Sequence, residues 1–153
     1  MEYFLYLSMP YASAVVYEGI RMFMSHTFGI PHRAYKDTVL CGYTIPKDTM
    51  LTGMFLGMMT DEKVWKFPHE FNPENFLENG KLIIHEKYFP FGVGKHRCMG
   101  ELLGKSNLFM FITTLLQNFH FRVPPGKPIP SDVPTDGATP SVRYYEALIV
   151  PRD

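Results

Sequence analysis

The chain has 153 residues, 46% of them hydrophobic and 20% charged, so it is long enough and apolar enough to fold as one domain around a core rather than stay disordered. Fifteen basic residues balance fifteen acidic ones, which gives no global field for nucleic acid or an anionic membrane. Thirteen Phe, nine Tyr and thirteen Pro point to aromatic-packed loops rather than a regular bundle, and two cysteines in unlike contexts, Cys41 and Cys98, do not suggest a disulfide framework.

Residues Pro10–Met24 read as a helix. Pro10 suits a first-turn position, and Val15, Val16, Ile20 and Phe23 mark an apolar face. Glu18 and Arg21 are three apart and share a face; periodicity alone makes them a solvated surface pair of little energetic weight. Residues 25–56 carry extended signals. Gly29-Ile30-Pro31 breaks the helix, 38–45 reads as a bent strand pair around Gly42, and 49–55 returns as another strand. Cys41 reads as a small buried hydrophobe.

Residues 60–90 form a meander. Asp61-Glu62 is placed to cap a short helix reaching Trp65. Pro68, Pro73, Asn79-Gly80 and Pro90 then punctuate a stretch carrying Phe67, Phe71, Phe76, Tyr88 and Phe89. So many aromatics would be a liability on an ordinary surface loop, so they are expected to anchor the meander by packing. Residues 100–119 are the strongest helix. Leu102, Leu103, Leu108, Phe109, Phe111, Ile112, Leu115, Leu116 and Phe119 cover more than half its circumference, which predicts burial on several sides. The tail, 122–153, opens with a Pro-rich loop and should end in a hairpin whose clearest strand is 144–150.

The chemistry concentrates in Phe91-Gly92-Val93-Gly94-Lys95-His96-Arg97-Cys98-Met99-Gly100, a glycine-rich turn running into that helix. Free cysteine titrates near 8.5, so only about 3% is thiolate at neutral pH, and full ionisation requires a shift worth roughly 5 kcal/mol. A helix N-terminus supplies at most about 2 kcal/mol, so a metal would have to do most of the work. Gly92, Gly94 and Gly100 let backbone amides turn inward and a flat ligand approach closely. A dinucleotide loop would need its third glycine elsewhere, a phosphate loop would need Ser or Thr after Gly-Lys, and a zinc site would need more cysteines or a close histidine set. From the turn alone, a metal-bound thiolate and an inert buried cysteine stay equally open.

The turn resembles the haem-binding loop of the cytochrome P450 family, Phe-x-x-Gly-x-Arg-x-Cys-x-Gly, with Phe91, Gly94, Cys98 and Gly100 at matching positions. Glu18-Gly19-Ile20-Arg21 resembles the family's Glu-x-x-Arg motif on the helix called K, and 71–76 (Phe-Asn-Pro-Glu-Asn-Phe) resembles its meander box. Met9-Pro10-Tyr11, Ile30-Pro31-His32 and 43–47 look like microsomal members, so the likeness runs over nearly the whole chain in the right order. It implies an α+β, mainly helical structure equal to the C-terminal third of the fold: helix K, small β-sheets, meander, Cys loop, helix L and C-terminal hairpin, all of 1–153 being one partial domain.

The resemblance implies Cys98 as the axial ligand of haem, with Phe91, Gly92, Gly94 and Gly100 forming its cradle. Two positions depart from the pattern. His96 stands where an Arg normally pairs with a haem propionate, and His32 where the family often has Arg or His; the implied propionate clamp is His32 with His96, Arg33 or Arg97 contributing. Asn75 stands where many members carry an Arg completing a triad with Glu18 and Arg21; related microsomal enzymes tolerate a neutral residue there, and in this context the pair should be buried. His26, Thr27, Phe28, Gly29 and Ile30, with Ala138 and Thr139 at the hairpin tip, correspond to substrate-contacting segments. Lys95, Arg97 and Lys105 fall where an acidic reductase docks, although solvation is the commoner role of a lone lysine.

The implied activity is an O2-dependent monooxygenase acting on a small apolar substrate, fed by NADPH-cytochrome P450 reductase at the endoplasmic reticulum membrane, with no nucleic-acid partner. The membrane anchor and the acid–alcohol helix of such enzymes have no counterpart in the 153 residues, so the piece by itself is expected to be inactive. A catalytically incomplete fragment and a non-catalytic haem-binding protein are the alternatives.

Overall fold

The computed structural model describes residues 8–135, 137 and 140–153. It is helical with four small antiparallel pairs. Helix α1, Pro10–Met24, starts with Pro10 in its first turn and ends where the Ser25 hydroxyl donates to the Met22 carbonyl. Its inner face is Ser13, Ala14, Val16, Glu18, Ile20 and Arg21. Val16 and Ile20 are buried as the periodicity predicts, but Phe23 faces outward and the charged pair faces inward. Hydrophobic periodicity misses this face because its smallest and its most polar members are as buried as its aliphatic ones.

Strand β1, His32–Arg33, pairs with β4, Met50–Leu51; strands β2, Thr38–Leu40, and β3, Tyr43–Ile45, form a hairpin. Cys41 and Gly42 both have positive φ and make the two-residue turn between β2 and β3. Cys41 is therefore exposed at a hairpin tip rather than buried. The expected strand over 49–55 shrinks to β4, because Phe55 already opens helix α2, Phe55–Met59. The helix expected to reach Trp65 is only one turn: the Asp61 carboxylate takes the Lys63 amide, and the Asp61 carbonyl takes the amides of Val64 and Trp65.

A 3₁₀ turn over Pro73–Phe76 leads into β5, Leu77–Glu78, and β6, Lys81–Leu82, joined by Asn79-Gly80, both at positive φ. That Asn-Gly pair is a strong hairpin signal, and it makes this part of the meander regular. Within the meander, Trp65, Phe76 and Tyr88 are buried while Phe71 and Phe89 stay exposed. The three buried rings pack on one another at centroid separations of 5.0–6.0 Å, and Phe76 and Tyr88 also pack on Tyr17 of α1, each at 5.6 Å. The Tyr88 hydroxyl donates to the Tyr17 carbonyl, and burial, reinforced by neighbouring charge, holds its phenol well above the usual range.

Helix α3, Glu101–Asn118, runs directly into β7, Phe119–Arg122, which pairs with β8, Leu148–Pro151. The tail strand is thus shorter than 144–150 predicts, and its partner lies upstream of the Pro-rich loop rather than within the tail. On α3 only Ser106 and Phe109 are buried; Leu103 and Phe111 are about two-thirds exposed. The expected burial on several sides is not met by this chain, because α3 packs chiefly on α1 and no other described layer covers its remaining faces. No described helix is long and apolar enough to cross a membrane.

Candidate haem-ligand loop and its buried support

The support begins on α1. Glu18 and Arg21 are both fully buried and form a two-point ion pair, Nε to Oε2 and Nη2 to Oε1, each 2.8 Å. The remaining guanidinium N–H groups reach backbone carbonyls of Met59, Pro68 and Glu70, with Phe67 close by. The Trp65 ring lies against the guanidinium carbon at 5.2 Å. Glu18 in turn accepts from the Asn72 amide and the Asn75 side chain, and Asn75 also closes both the amide and the carbonyl of Phe67. Asn75 thus joins the pair through neutral hydrogen bonds, and the three residues staple α1 to the meander.

The meander delivers Phe91 to the site. The Phe91 carbonyl accepts the Cys98 amide at 2.9 Å, closing an eight-residue loop. Gly92 and Gly94 take φ of 76° and 74°, a region hostile to other residues, and a short 3₁₀ turn over Gly94–His96 brings the chain round. Gly100 caps α3, and a Cβ there would stand 3.8 Å from the Cys98 sulfur. Cys98 is therefore exposed at the start of a long helix, on a pinned loop. A buried inert thiol is not what the loop presents.

His32, from β1, and His96, from the loop, come together with ring centroids 5.6 Å apart, edge to face. Their flanking arginines are engaged elsewhere: Arg33 pairs with Asp48 at 3.1 Å and Arg97 with Glu101 at 2.7 Å. Glu101 also accepts from Lys105 at 2.7 Å. Partial burial pushes the Glu101 carboxyl up, but the hydrogen bonds from Lys105 and Arg97 outweigh it and hold the group below the usual carboxylate range. Lys105 is thereby no solvated lysine; Arg97, though paired with Glu101, stays mostly exposed, as does Lys95.

Of the segment over 26–30, Gly29 donates to the Gly53 carbonyl at 2.7 Å, and Phe28 bridges to Met54. Thr27 bonds back to the Met24 carbonyl, and Ile30 is exposed. His26 lines a cleft of about 380 Å³ with Met22, Phe23 and Phe71 on one side and 131–134 and 140–142 on the other. The structure therefore brings His26 to 131–134 and 140–142; Ala138 and Thr139 lie outside the described residues. The cleft shares no lining residue with the Cys98 loop.

The arrangement suits a flat, dianionic metallo-ligand. The glycines keep side chains off the loop face, the sulfur is exposed just before the positive end of α3, and the loop's own His96 lies against His32 without a carboxylate partner for either ring among the described contacts. A metal held by clustered side chains is a poorer fit, since the described residues contain no group of three or more His, Cys, Asp or Glu placed to hold one.

The cytochrome P450 family model matches residues 5–145. The probable cytochrome P450 303a1 of Drosophila melanogaster is 51% identical over 145 residues, which is 95% of this chain and 29% of that protein. The farnesoate epoxidase of Bombyx mori is 41% identical over 95% of this chain and 30% of its own length. A zebrafish cytochrome P450 solved with abiraterone superposes with a TM-score of 0.84 at 33% identity, over 94% of this chain and 34% of that one. The chain thus spans about three-tenths of the length of these curated relatives.

Proposed function

The chain belongs to the cytochrome P450 family, and on that premise we propose that its Cys98 loop supplies the thiolate ligand to haem in an O2-dependent monooxygenase. The observation that carries the proposal is the exposed Cys98 sulfur at the N-terminus of α3, on a loop closed by the Cys98–Phe91 backbone bond. Bound there, haem supplies O2 binding and the oxidation of an apolar small molecule, chemistry that thiolate ligation favours.

The chain's own residues do the holding. Cys98 would hold the iron, and the positive end of α3 just beyond it favours an anionic ligand there. Gly92, Gly94 and Gly100 keep the approach to the sulfur open. His32 and His96 would hold the propionates, with Arg33 or Arg97, each in an exposed ion pair, contributing. His26 and the neighbouring tail contribute to substrate contact, and the electrons come from NADPH-cytochrome P450 reductase at the endoplasmic reticulum membrane.

Cys98→Ala in the full-length protein should abolish the thiolate-type spectrum of the reduced carbon-monoxide complex. Persistence of that spectrum would exclude Cys98 as the ligand. His96→Ala removes one charge-assisted contact, worth roughly 1.5–3 kcal/mol, and should speed transfer of haem to excess apomyoglobin roughly 10- to 100-fold. A transfer rate equal to wild type would remove His96 from the clamp.

A further inference from the structure

Lys105 has an unusual environment for a lysine. Its side chain is only 15% exposed, and its ammonium lies 4.9 Å from the Tyr17 ring centroid and 5.5 Å from that of Phe91. The Glu101 Oε1 atom, 2.7 Å away, neutralises it, while Oε2 of the same carboxylate holds Arg97, the residue immediately before Cys98. Lys105 therefore reaches both arms of the loop. One path runs through the Phe91 ring to the Phe91 carbonyl and the Cys98 amide; the other runs through Glu101 to Arg97. Gly104 completes the seat, since a Cβ there would stand 4.0 Å from the Phe91 ring. Glu101 and Lys105 are four apart on one face of the first turns of α3, and Arg97 reaches Glu101 from the loop before the helix.

A partly buried ammonium loses hydration, and its position is tolerable only with a carboxylate and aromatic faces around it. The same contacts that accommodate Lys105 restrain Phe91 and Arg97. We propose that Lys105 is a positioning residue for the Cys98 loop, clamping both of its arms onto α3 and α1 so that the sulfur keeps one orientation. The proposal rests on the reading of Cys98 as the haem thiolate.

The test uses the haem-loaded full-length protein and follows, in the reduced carbon-monoxide complex, conversion of the thiolate form to the thiol form. Lys105→Met keeps the stem and removes the charge. It should convert about tenfold faster than wild type, as expected for losing cation–π contacts and one shielded ion pair. Lys105→Arg keeps a cation that stacks on rings and pairs with a carboxylate, and should stay within about twofold. Equal rates for Lys105→Met and wild type, or equal acceleration in both variants, would overturn the proposal. So would conversion in Lys105→Met that merely follows global unfolding by tryptophan fluorescence. A wild type without any thiolate form would sink the Cys98 reading and this one together, whereas a normal wild type with an unaffected Met variant sinks only the clamp. Should Lys105→Met fail to accumulate, Glu101→Gln, which loosens both cations without touching the core, should also accelerate conversion, and an unchanged rate would count equally against the clamp.

Discussion

Glu18→Ala is expected to destabilise the folded protein by roughly 3–5 kcal/mol, a large share of the 5–15 kcal/mol that a domain usually has. The substitution leaves the Arg21 guanidinium fully buried with no counter-charge, and it removes the acceptor for the Asn72 amide and the Asn75 side chain. The carbonyls of Met59, Pro68 and Glu70 still accept from Arg21, but they supply partial charges only. Glu18→Gln separates the two losses in part: its one amide oxygen can still accept from the Asn72 amide and the Asn75 side chain, while the charge and the second acceptor, which takes Arg21 Nε, are removed. It should fall between wild type and Glu18→Ala in urea denaturation of the full-length protein. A Glu18→Ala protein with wild-type yield, midpoint and haem content would show that the buried pair is not what ties α1 to the meander.

That network also shows where sequence reasoning stopped. Spacing placed Glu18 and Arg21 on one face, but which face is buried depends on carbonyls at residues 59–70 and on Asn72 and Asn75, all distant in sequence. Only the family motif signalled burial. The Cys98 loop was more legible, because its glycines, cysteine and following helix are local and each has a conformational reason to be there. The pairing of His32 with His96 is legible only through the resemblance, since the two are far apart in sequence. The role of Lys105 had no sequence signal beyond its four-residue spacing from Glu101; its rings come from α1 and the meander.

The exposed apolar face of α3 has a related explanation. Periodicity reports which faces avoid water in the working protein, not which are covered by the residues in hand. The chain spans about three-tenths of its relatives, so an apolar circumference on α3 and a cover on only one side are compatible. The same reasoning predicts where the stability internal to these 153 residues resides: in the aromatic cluster between α1 and the meander, not on α3.

Phe76 is the centre of that cluster. It is fully buried, with Tyr17, Trp65 and Tyr88 ring centroids at 5.6, 5.2 and 5.0 Å. Phe76→Ala should cost roughly 3–5 kcal/mol, from the lost apolar transfer and the cavity left among three rings that cannot all collapse inward. Two of those rings are held from behind, Trp65 by its indole bond to the Met58 carbonyl and Tyr88 by its bond to the Tyr17 carbonyl, which limits relaxation and favours the upper part of that range. Phe76→Leu keeps most of the volume and loses the ring–ring geometry, so its cost should be only about 1–2 kcal/mol. The ordering wild type, Leu, Ala in the denaturation midpoint tests the cluster directly. Because Trp65 also lies on the Arg21 guanidinium, Phe76→Ala and Glu18→Ala should be coupled rather than additive. Additive costs in the double variant would mean that the aromatic cluster and the ion pair support α1 independently.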